Sequence, residues 1–132
     1  MNNKILIAAS LLGITSVIMG AFGAHGLKAS ISVESLQTFE TGVRYQMYHA
    51  LFLLFVGSTP LISKKTKRLI FYFVLIGVFL FSGSIYGLAT NPLTAFNFKT
   101  IAFITPIGGL LLIISWGIIF MDFLKIKSKN DN

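Results

Sequence analysis

Hydrophobic residues along this chain fall into four long blocks, and each block has the length of a helix that crosses a lipid bilayer. A bilayer core of about 30 Å requires roughly 20 residues of α-helix, which satisfies its own backbone polar groups without water. The blocks are Ile5–Ala24, Val43–Ile62, Leu69–Ala89 and Ile101–Met121. The pattern therefore predicts an all-α integral membrane bundle of four transmembrane helices, which form a single membrane domain over residues 1–132.

The connection between the first two blocks has a helical pattern of its own. Leu36, Phe39 and Val43 recur at helical spacing, whereas Glu34 and Glu40 fall on other faces. This spacing predicts a short helix on the outer surface that continues into the second block. The second block itself begins with polar residues, in contrast to the other three.

A cleaved secretory signal is an alternative interpretation of the first block. Lys4 precedes the apolar run, and the small residues around Ala21 and Gly23 resemble a cleavage site. The apolar core of such a signal is usually about 7 to 15 residues long, which is shorter than this block. The length of the block therefore favours a transmembrane helix.

Composition excludes several classes of function. Hydrophobic residues make up 55% of the chain and charged residues 11%, with a mean hydropathy of +0.81, which is typical of a membrane protein. The chain has no cysteine, so disulfides, thiol nucleophiles and cysteine metal sites are excluded. The net charge of +7 is attributed to orientation in the lipid bilayer and to contact with anionic lipid, and no nucleic-acid partner is expected.

Lysine and arginine residues are divided unevenly between the two ends of the predicted helices. Eight lie at one end, namely Lys4, Lys64, Lys65, Lys67, Arg68, Lys125, Lys127 and Lys129. Three lie at the other end, namely Lys28, Arg44 and Lys99. Because positive charge resists translocation, both termini, including the basic tail 122–132, are predicted on the cytoplasmic side of the cytoplasmic membrane. The basic stretch 63–68 is interpreted as a solvated flank or, alternatively, as a lipid-headgroup site.

Polar side chains of all four blocks fall in the halves that this orientation places outside. They form a predicted polar cluster of His25, Arg44, Tyr45, His49, Ser82, Ser84, Tyr86 and Thr105. A polar group in hydrocarbon needs a partner at its own depth, so His49 is expected to meet cluster residues of the third and fourth helices. Arg44 and Gln46 are expected to extend to the interface, and Trp116 is expected near the inner ends.

Glycines and other small residues recur at intervals of three and four along the predicted helices. This spacing lets neighbouring helices approach closely, so the glycines are predicted to serve helix packing. The candidates with this spacing are Gly13, Gly20, Gly23, Gly83 and Gly87, and two further packing candidates in the fourth helix are Gly108 and Gly109. Pro106 precedes the last two and is expected to loosen the fourth helix near its outer end.

Four stretches of the sequence together resemble a known group of small bacterial membrane proteins. They are "GAFGAHGL" from Gly20, "ETGVRYQMYHAL" from Glu40, "FSGSIY" from Phe81 and "ITPIGGLLLIISW" from Ile104. The chain is similar in them to the domain-of-unknown-function family 423, also called uncharacterised protein family 0382, from near its start to about Trp116. The resemblance implies a four-helix protein of the cytoplasmic membrane and supplies no catalytic residue. The outer loop after Thr90 and the basic tail after Met121 depart from the family pattern.

Three hypotheses about function follow from these features. The favoured one is a non-enzymatic membrane protein that assembles with itself or with another membrane protein and influences membrane properties. A transporter or channel component with a polar site in the outer half of the bundle is the alternative. An enzyme with His25 and His49 on a metal is disfavoured, because zinc sites commonly have three or more protein ligands. No catalytic residue, cofactor or metal site is predicted, and His49 is expected either to pack as a neutral imidazole or to titrate.

Overall fold

Four long α-helices follow one another along the chain, joined by short connections. The computed structural model describes residues 1–94, 97, 100 and 102–131. The helices are α1 (Asn2–His25), α2 (Val33–Ser58), α3 (Lys64–Ala89) and α4 (Ile104–Asp131). Two short 3₁₀ helices, Leu27–Ala29 and Asn91–Leu93, lie in the α1–α2 and α3–α4 connections. Within these residues the protein is all-helical, as the sequence predicts, and contains no strand.

Three of the four helices are long and apolar enough to cross a membrane. They are α1, α3 and α4, and they match the first, third and fourth hydrophobic blocks. The helix that does not meet this measure is α2, because polar residues such as Gln46 and His49 interrupt its apolar sequence. The apolar blocks therefore locate three helices that are capable of spanning a membrane, whereas the role of α2 depends on how it packs.

The start of α2 agrees with the prediction, and its end does not. The expected short surface helix and the second block form one continuous helix, which begins after Ser32, whose hydroxyl accepts a hydrogen bond from the Ser35 N–H at 3.1 Å. The helix ends at Ser58 rather than at Ile62. Pro60 is the cause, because proline disfavours helical conformation in the residue before it, and Thr59 is extended.

Helix α3 begins before the third hydrophobic block, and helix α4 continues beyond the end of the fourth. Helix α3 begins at Lys64, with the Ser63 hydroxyl as its N-cap, so residues 64–68 of the basic stretch form the first turns of a helix. Helix α4 runs to Asp131, and the basic tail from residue 122 therefore continues the helix. The predicted start of this block at Ile101, and Lys99 before it, lie outside the described residues.

The helices pack antiparallel in chain order, α1 on α2, α2 on α3 and α3 on α4. We call the end that carries the start of α1, the α2–α3 connection and the end of α4 the basic end. The main apolar core lies towards this end, and its fully buried members include Ile5, Leu53, Val56, Ile70 and Val74. A smaller cluster of Leu27, Phe39 and Ala89 closes the opposite end. Polar contacts lie between the two clusters.

Close contact between helices occurs at particular glycines. A methyl group at Gly108 would lie 2.4 Å from the Phe81 backbone nitrogen, so α3 and α4 touch backbone to backbone there. Three glycines that were not predicted to be packing positions also face neighbouring helices tightly, namely Gly42, Gly57 and Gly77.

The other glycines that the spacing selects lie in less crowded places. A methyl group would meet a side chain at 3.4 Å at Gly20, 3.1 Å at Gly23 and 3.5 Å at Gly109. At Gly13 and Gly83 it would meet no atom within 4 Å. Gly87 lies in the last turn of α3 and is half-buried. Regular spacing therefore selects both packed and outward-facing glycines.

Adjacent glycines in α4 provide a matched test of this packing. Gly108→Ala is expected to lower the free energy of unfolding by about 1 to 3 kcal/mol, because the methyl group would collide with the α3 backbone. Gly109→Ala is expected to leave it unchanged or raise it by about 0.5 to 1 kcal/mol, because alanine favours a helix more than glycine does. Denaturant unfolding in detergent micelles, followed by circular dichroism, measures both. Equal effects of the two substitutions would contradict the close α3–α4 contact.

Candidate functional site

The polar residues of α2 lie at the centre of the bundle. Gln46 and His49 are only 5% and 4% exposed. They belong to a buried stripe at alternating spacings of three and four residues, which consists of Phe39, Gly42, Gln46, His49, Leu53 and Val56. Helices α1 and α3 pack against α2 on either side, and Trp116 of α4 reaches it as well. The centre of the protein therefore contains an amide and an imidazole that need partners.

His49 bonds to two groups, one on each ring nitrogen. Its Nδ1 lies 2.7 Å from the Tyr45 carbonyl oxygen, and its Nε2 lies 3.1 Å from the indole Nε1 of Trp116. A carbonyl can only accept and an indole N–H can only donate. The imidazole therefore carries its proton on Nδ1 and accepts on Nε2, which is the neutral tautomer.

Aromatic rings surround this pair. Trp116 meets the His49 ring edge-on at 6.1 Å between centroids, and Phe52 lies 4.1 Å from the Trp116 ring and 6.2 Å from the His49 ring. His49 lies nine residues before the end of α2 at Ser58, which corresponds to about 14 Å along the helix. His49 therefore lies inside the bundle, in surroundings that favour an uncharged ring, whereas Trp116 is half-exposed at its edge.

Gln46 connects three helices through a complete set of hydrogen bonds. Its Nε2 donates to the Thr15 hydroxyl at 2.7 Å and to the Leu12 carbonyl at 3.0 Å, both in α1. Its Oε1 accepts from the Tyr86 hydroxyl of α3 at 2.6 Å. Both amide hydrogens are thereby used, and the amide oxygen has a partner, so this side chain links α1, α2 and α3.

Serine hydroxyls hold α2 from both sides at two consecutive residues. Ser16 of α1 donates to the Val43 carbonyl at 3.0 Å, and Ser82 of α3 donates to the Gly42 carbonyl at 2.8 Å. Both serines are 1% exposed. The absence of a side chain on Gly42 lets α3 approach, since a methyl group there would lie 2.8 Å from the Tyr86 ring. These contacts fix the position of α2 along its axis relative to both neighbours.

The structure separates the predicted polar cluster into several groups. The cluster residues of α3 and α4 do not bond to His49, because Ser82 and Tyr86 bond to other residues of α2, and Ser84 bonds to Thr105 across the α3–α4 contact. Tyr45 contributes its carbonyl to His49, while its half-exposed ring lies against Tyr48 and Phe81.

Two members of the predicted cluster lie on the surface. Arg44 is exposed, as expected of a side chain that extends to the interface, and donates to the Thr41 hydroxyl at 3.1 Å. His25 is exposed at the end of α1, near Gly23, which faces Phe39. His49 follows Phe39 by ten residues, about 15 Å along α2, so the two histidines are too far apart to bind one metal ion. The described residues contain no group of three or more potential metal ligands.

Residues outside the predicted polar cluster make several of the main hydrogen bonds between the helices. Gln46 is buried rather than extended to the interface, and Trp116, although half-exposed, bonds to buried His49 rather than lying near an end of the bundle. Thr15 and Ser16 also belong to the hydrogen-bonded core. The spacing of three and four residues along α2 was sufficient to predict the burial of Gln46, because it places this residue on the same face as Phe39 and His49.

A small apolar pocket adjoins the histidine pair. Its volume is about 320 Å³, and its lining includes His49, Trp116, Tyr45 and Phe81. Both nitrogens of the imidazole and the single N–H of the indole are already engaged in hydrogen bonds. The pocket thus presents mainly aromatic and aliphatic surface, which is suited to an apolar group rather than to a metal ion or a charged solute.

Comparisons with known proteins relate this architecture to a family of membrane proteins. A family model described as "Protein of unknown function (DUF423)" matches residues 19–109. The chain is 42% identical to a "UPF0382 membrane protein" of Haemophilus influenzae over 98% of this chain and 99% of the relative. It is 32% identical to the "UPF0382 inner membrane protein YgdD" of Escherichia coli over 94% and 92% of the two chains. The similarity therefore extends past Trp116 into the basic tail. No solved structure matches.

Removal of the indole donor is expected to destabilise the protein through the histidine that it leaves unpaired. Trp116→Phe should lower the free energy of unfolding by about 1 to 3 kcal/mol. His49→Phe should lower it by a similar amount, because it removes the acceptor of the indole N–H. The double variant should lose less free energy of unfolding than the two single variants lose together, because neither polar group remains. Strictly additive losses in a double-mutant cycle of unfolding in micelles would show that the two rings do not interact.

Proposed function

Because the chain belongs to the DUF423 family, whose relatives are named membrane proteins, we propose that it crosses the cytoplasmic membrane four times and acts without catalysis. In this proposal it assembles through helix packing and influences the properties of the surrounding bilayer. The observation that carries the proposal is the pairing of its polar groups. Among the described residues, no buried side-chain nitrogen or oxygen lacks a hydrogen-bond partner. Groups that hold helices together are not available for a solute or a reacting molecule.

The packing of α2 supports its assignment as the second of four spans. Its buried polar side chains, Gln46 and His49, bond within the bundle to residues of α1, α2, α3 and α4. A polar side chain is tolerated in hydrocarbon when the neighbouring helices provide its partners. Exposed positions in the second half of α2 are mainly apolar, including Leu51, Leu54 and Phe55. These features suit a helix that contacts lipid on one side and protein on the other.

The distribution of charge supports a cytoplasmic position for the basic end. Lys64, Lys65 and Arg68 lie exposed in the first turns of α3, and Lys125, Lys127 and Lys129 lie exposed in the last turns of α4. Lys67 is buried there and donates to the Asn2 side chain at 3.2 Å. Positive charge concentrates on the cytoplasmic side of membrane proteins. The printed name of the Escherichia coli relative, an inner membrane protein, supports the same membrane.

Single cysteines can test this topology, because the chain has no native cysteine. An impermeant thiol reagent applied to intact cells is expected to label Ser30→Cys, in the α1–α2 connection. It should leave Lys64→Cys and Ser128→Cys unlabelled until the cells are lysed. A three-span arrangement that omits α2 would instead place Lys64 and Ser128 on one side and the N-terminus on the other. Because that arrangement also leaves Ser30 on the side of Lys64 and Ser128, the same labelling result for all three cysteines in intact cells would overturn the four-span proposal. Labelling of either basic-end cysteine in intact cells would overturn the predicted orientation.

Assembly is supported by the outward surface of α1. Gly13 has no neighbouring atom within 4 Å of a methyl group at that position, and exposed Ile14 and Val17 lie beside it. A shallow apolar groove of about 540 Å³ runs between this surface and the side of α2 that carries Met47 and Leu51. A glycine on an outward apolar surface allows a helix of another copy to approach closely. This surface is the one that we assign to self-assembly.

Gly13→Leu should therefore shift the protein towards monomers without unfolding it, because the leucine projects into open space and blocks only the outward surface. Gly83→Leu is the matched control, since Gly83 is equally open on α3. Crosslinking in native membranes and mass measurement in detergent report the oligomeric state, and circular dichroism reports folding. A monomeric parent protein, or an unchanged oligomer in Gly13→Leu, would remove this surface from the proposal.

A transporter or channel component remains the second candidate, here for an apolar solute, because the pocket beside His49 and Trp116 is suited to an apolar group. The two candidates differ in what a folded His49→Phe/Trp116→Phe variant should do. A packing protein retains its assembly and its effect on the membrane, because the variant replaces one buried contact by another. A transporter loses its activity, because the variant alters the only histidine in the centre of the described bundle.

A further inference from the structure

A groove at the basic end combines positive charge with apolar walls. It lies between the start of α3 and the end of α4, has a volume of about 700 Å³, and is open to the surroundings. Lys65 and Thr66 line it from α3, and Asp122 and Lys125 line it from α4. The Thr66 hydroxyl donates to an Asp122 carboxylate oxygen at 3.2 Å, which joins the two walls.

The charge of the groove suits an anion. Lys65 and Lys125 contribute two positive charges and Asp122 one negative charge, so the lining is positive by one unit. Both lysines are exposed, and no acidic residue other than Asp122 lines the groove. The Asp122 carboxylate accepts a hydrogen bond from the Thr66 hydroxyl. Exposed Lys64 and Arg68 add positive charge nearby, and such clusters attract anionic lipid headgroups.

The inner part of the groove is apolar and has room for a chain. Leu69 of α3 and Ile114, Ile118 and Met121 of α4 line it below the charged residues. Gly117 lies in the same wall, and a methyl group at this position would meet no atom within 4 Å. The groove thus descends from a charged rim along the apolar surfaces of two helices. A soluble anion would leave this apolar portion unfilled.

We propose that the α3–α4 groove binds an anionic phospholipid, with the headgroup phosphate between Lys65 and Lys125 and an acyl chain over Gly117. The complementary charges select the headgroup, and the apolar wall selects a molecule that carries a hydrocarbon chain. This inference rests on the proposed four-span topology only for the leaflet involved, which is the cytoplasmic one. Binding itself depends on the groove and not on its orientation in a cell.

Native mass spectrometry of the full chain in detergent can test the site, with phosphatidylglycerol and phosphatidylcholine titrated separately. Phosphatidylglycerol is expected to bind about tenfold more tightly than phosphatidylcholine, a difference within the range of attraction contributed by two lysines. Glycerol phosphate, which has the anionic group without the chains, should bind at least about tenfold more weakly than the lipid. Equal affinities in either comparison would overturn the proposal.

Two pairs of substitutions remove the same charge at different places. Lys65→Gln/Lys125→Gln should abolish the preference for phosphatidylglycerol, because it removes both cations of the rim. Lys127→Gln/Lys129→Gln should retain the preference, since these residues carry the same charge on α4 without lining the groove. A similar loss in both variants would indicate general attraction to the basic end, and the proposed groove would then be wrong.

Filling the groove provides a test that leaves every charge in place. Gly117→Phe should weaken phosphatidylglycerol binding about tenfold or more by occupying the space of the acyl chain, whereas Gly117→Ala should change it less than about twofold. Circular dichroism and melting of both variants establish that they are folded. Unchanged binding in a folded Gly117→Phe protein would overturn the proposal, even if the cysteine-labelling experiment confirmed four spans. The two hypotheses can therefore fail separately.

Discussion

The structure depends on one requirement, which is that the polar groups of α2 find partners away from water. A buried amide or imidazole without a hydrogen bond costs about 1 to 3 kcal/mol, and α2 contributes one of each to the centre of the bundle. Gln46 satisfies this requirement through α1 and α3, whereas His49 uses its own helix and α4. Because these partners come from every other helix, the least apolar helix determines how the other three are arranged.

Consecutive backbone carbonyls of α2 add a geometrical constraint. Ser16 and Ser82 donate to Val43 and Gly42 from opposite neighbours, and a slip of either neighbour along α2 would break the bond. Apolar side chains alone would not define this register as strictly, because lipid tails and leucine side chains are similar environments. In the described protein, small polar residues therefore provide specificity, while Ile5, Leu53 and Val74 fill the adjoining apolar core.

The sequence was sufficient to predict the helical class and three helices capable of spanning a membrane. Long apolar segments in a bilayer form helices because a helix satisfies its own backbone hydrogen bonds. It was less informative about helix ends. Pro60 and Ser63 carried readable signals for the end of α2 and the start of α3, whereas hydropathy alone extended α2 to Ile62. The basic tail continues as a helix, a feature that a count of its charges does not reveal.

The sequence did not predict the partners within the site, because hydropathy gives neither the rotation of each helix about its axis nor its position along that axis. Depth in the bilayer suggested that His49 would meet serine and threonine hydroxyls, but its partner is Trp116, whose long side chain reaches across from α4. The polar pairs involve helix faces that become neighbours only after packing. Regular glycine spacing had the same limitation, because Gly13 and Gly23 belong to one stripe of α1 while the first faces outward and the second faces Phe39 of α2.

The two ends of the bundle have different chemistry, and this difference bears on function. Towards the opposite end, hydrogen bonds of Gln46, Ser16 and Ser82 use the buried polar groups to hold helices together. At the basic end, Lys65 and Lys125 line an open groove and lie exposed. Exposed cations above an apolar groove are the arrangement on which the proposed phospholipid site rests, because basic clusters attract anionic headgroups. In the functions that we propose, the interior serves packing, and the basic end recognises a lipid in its surroundings.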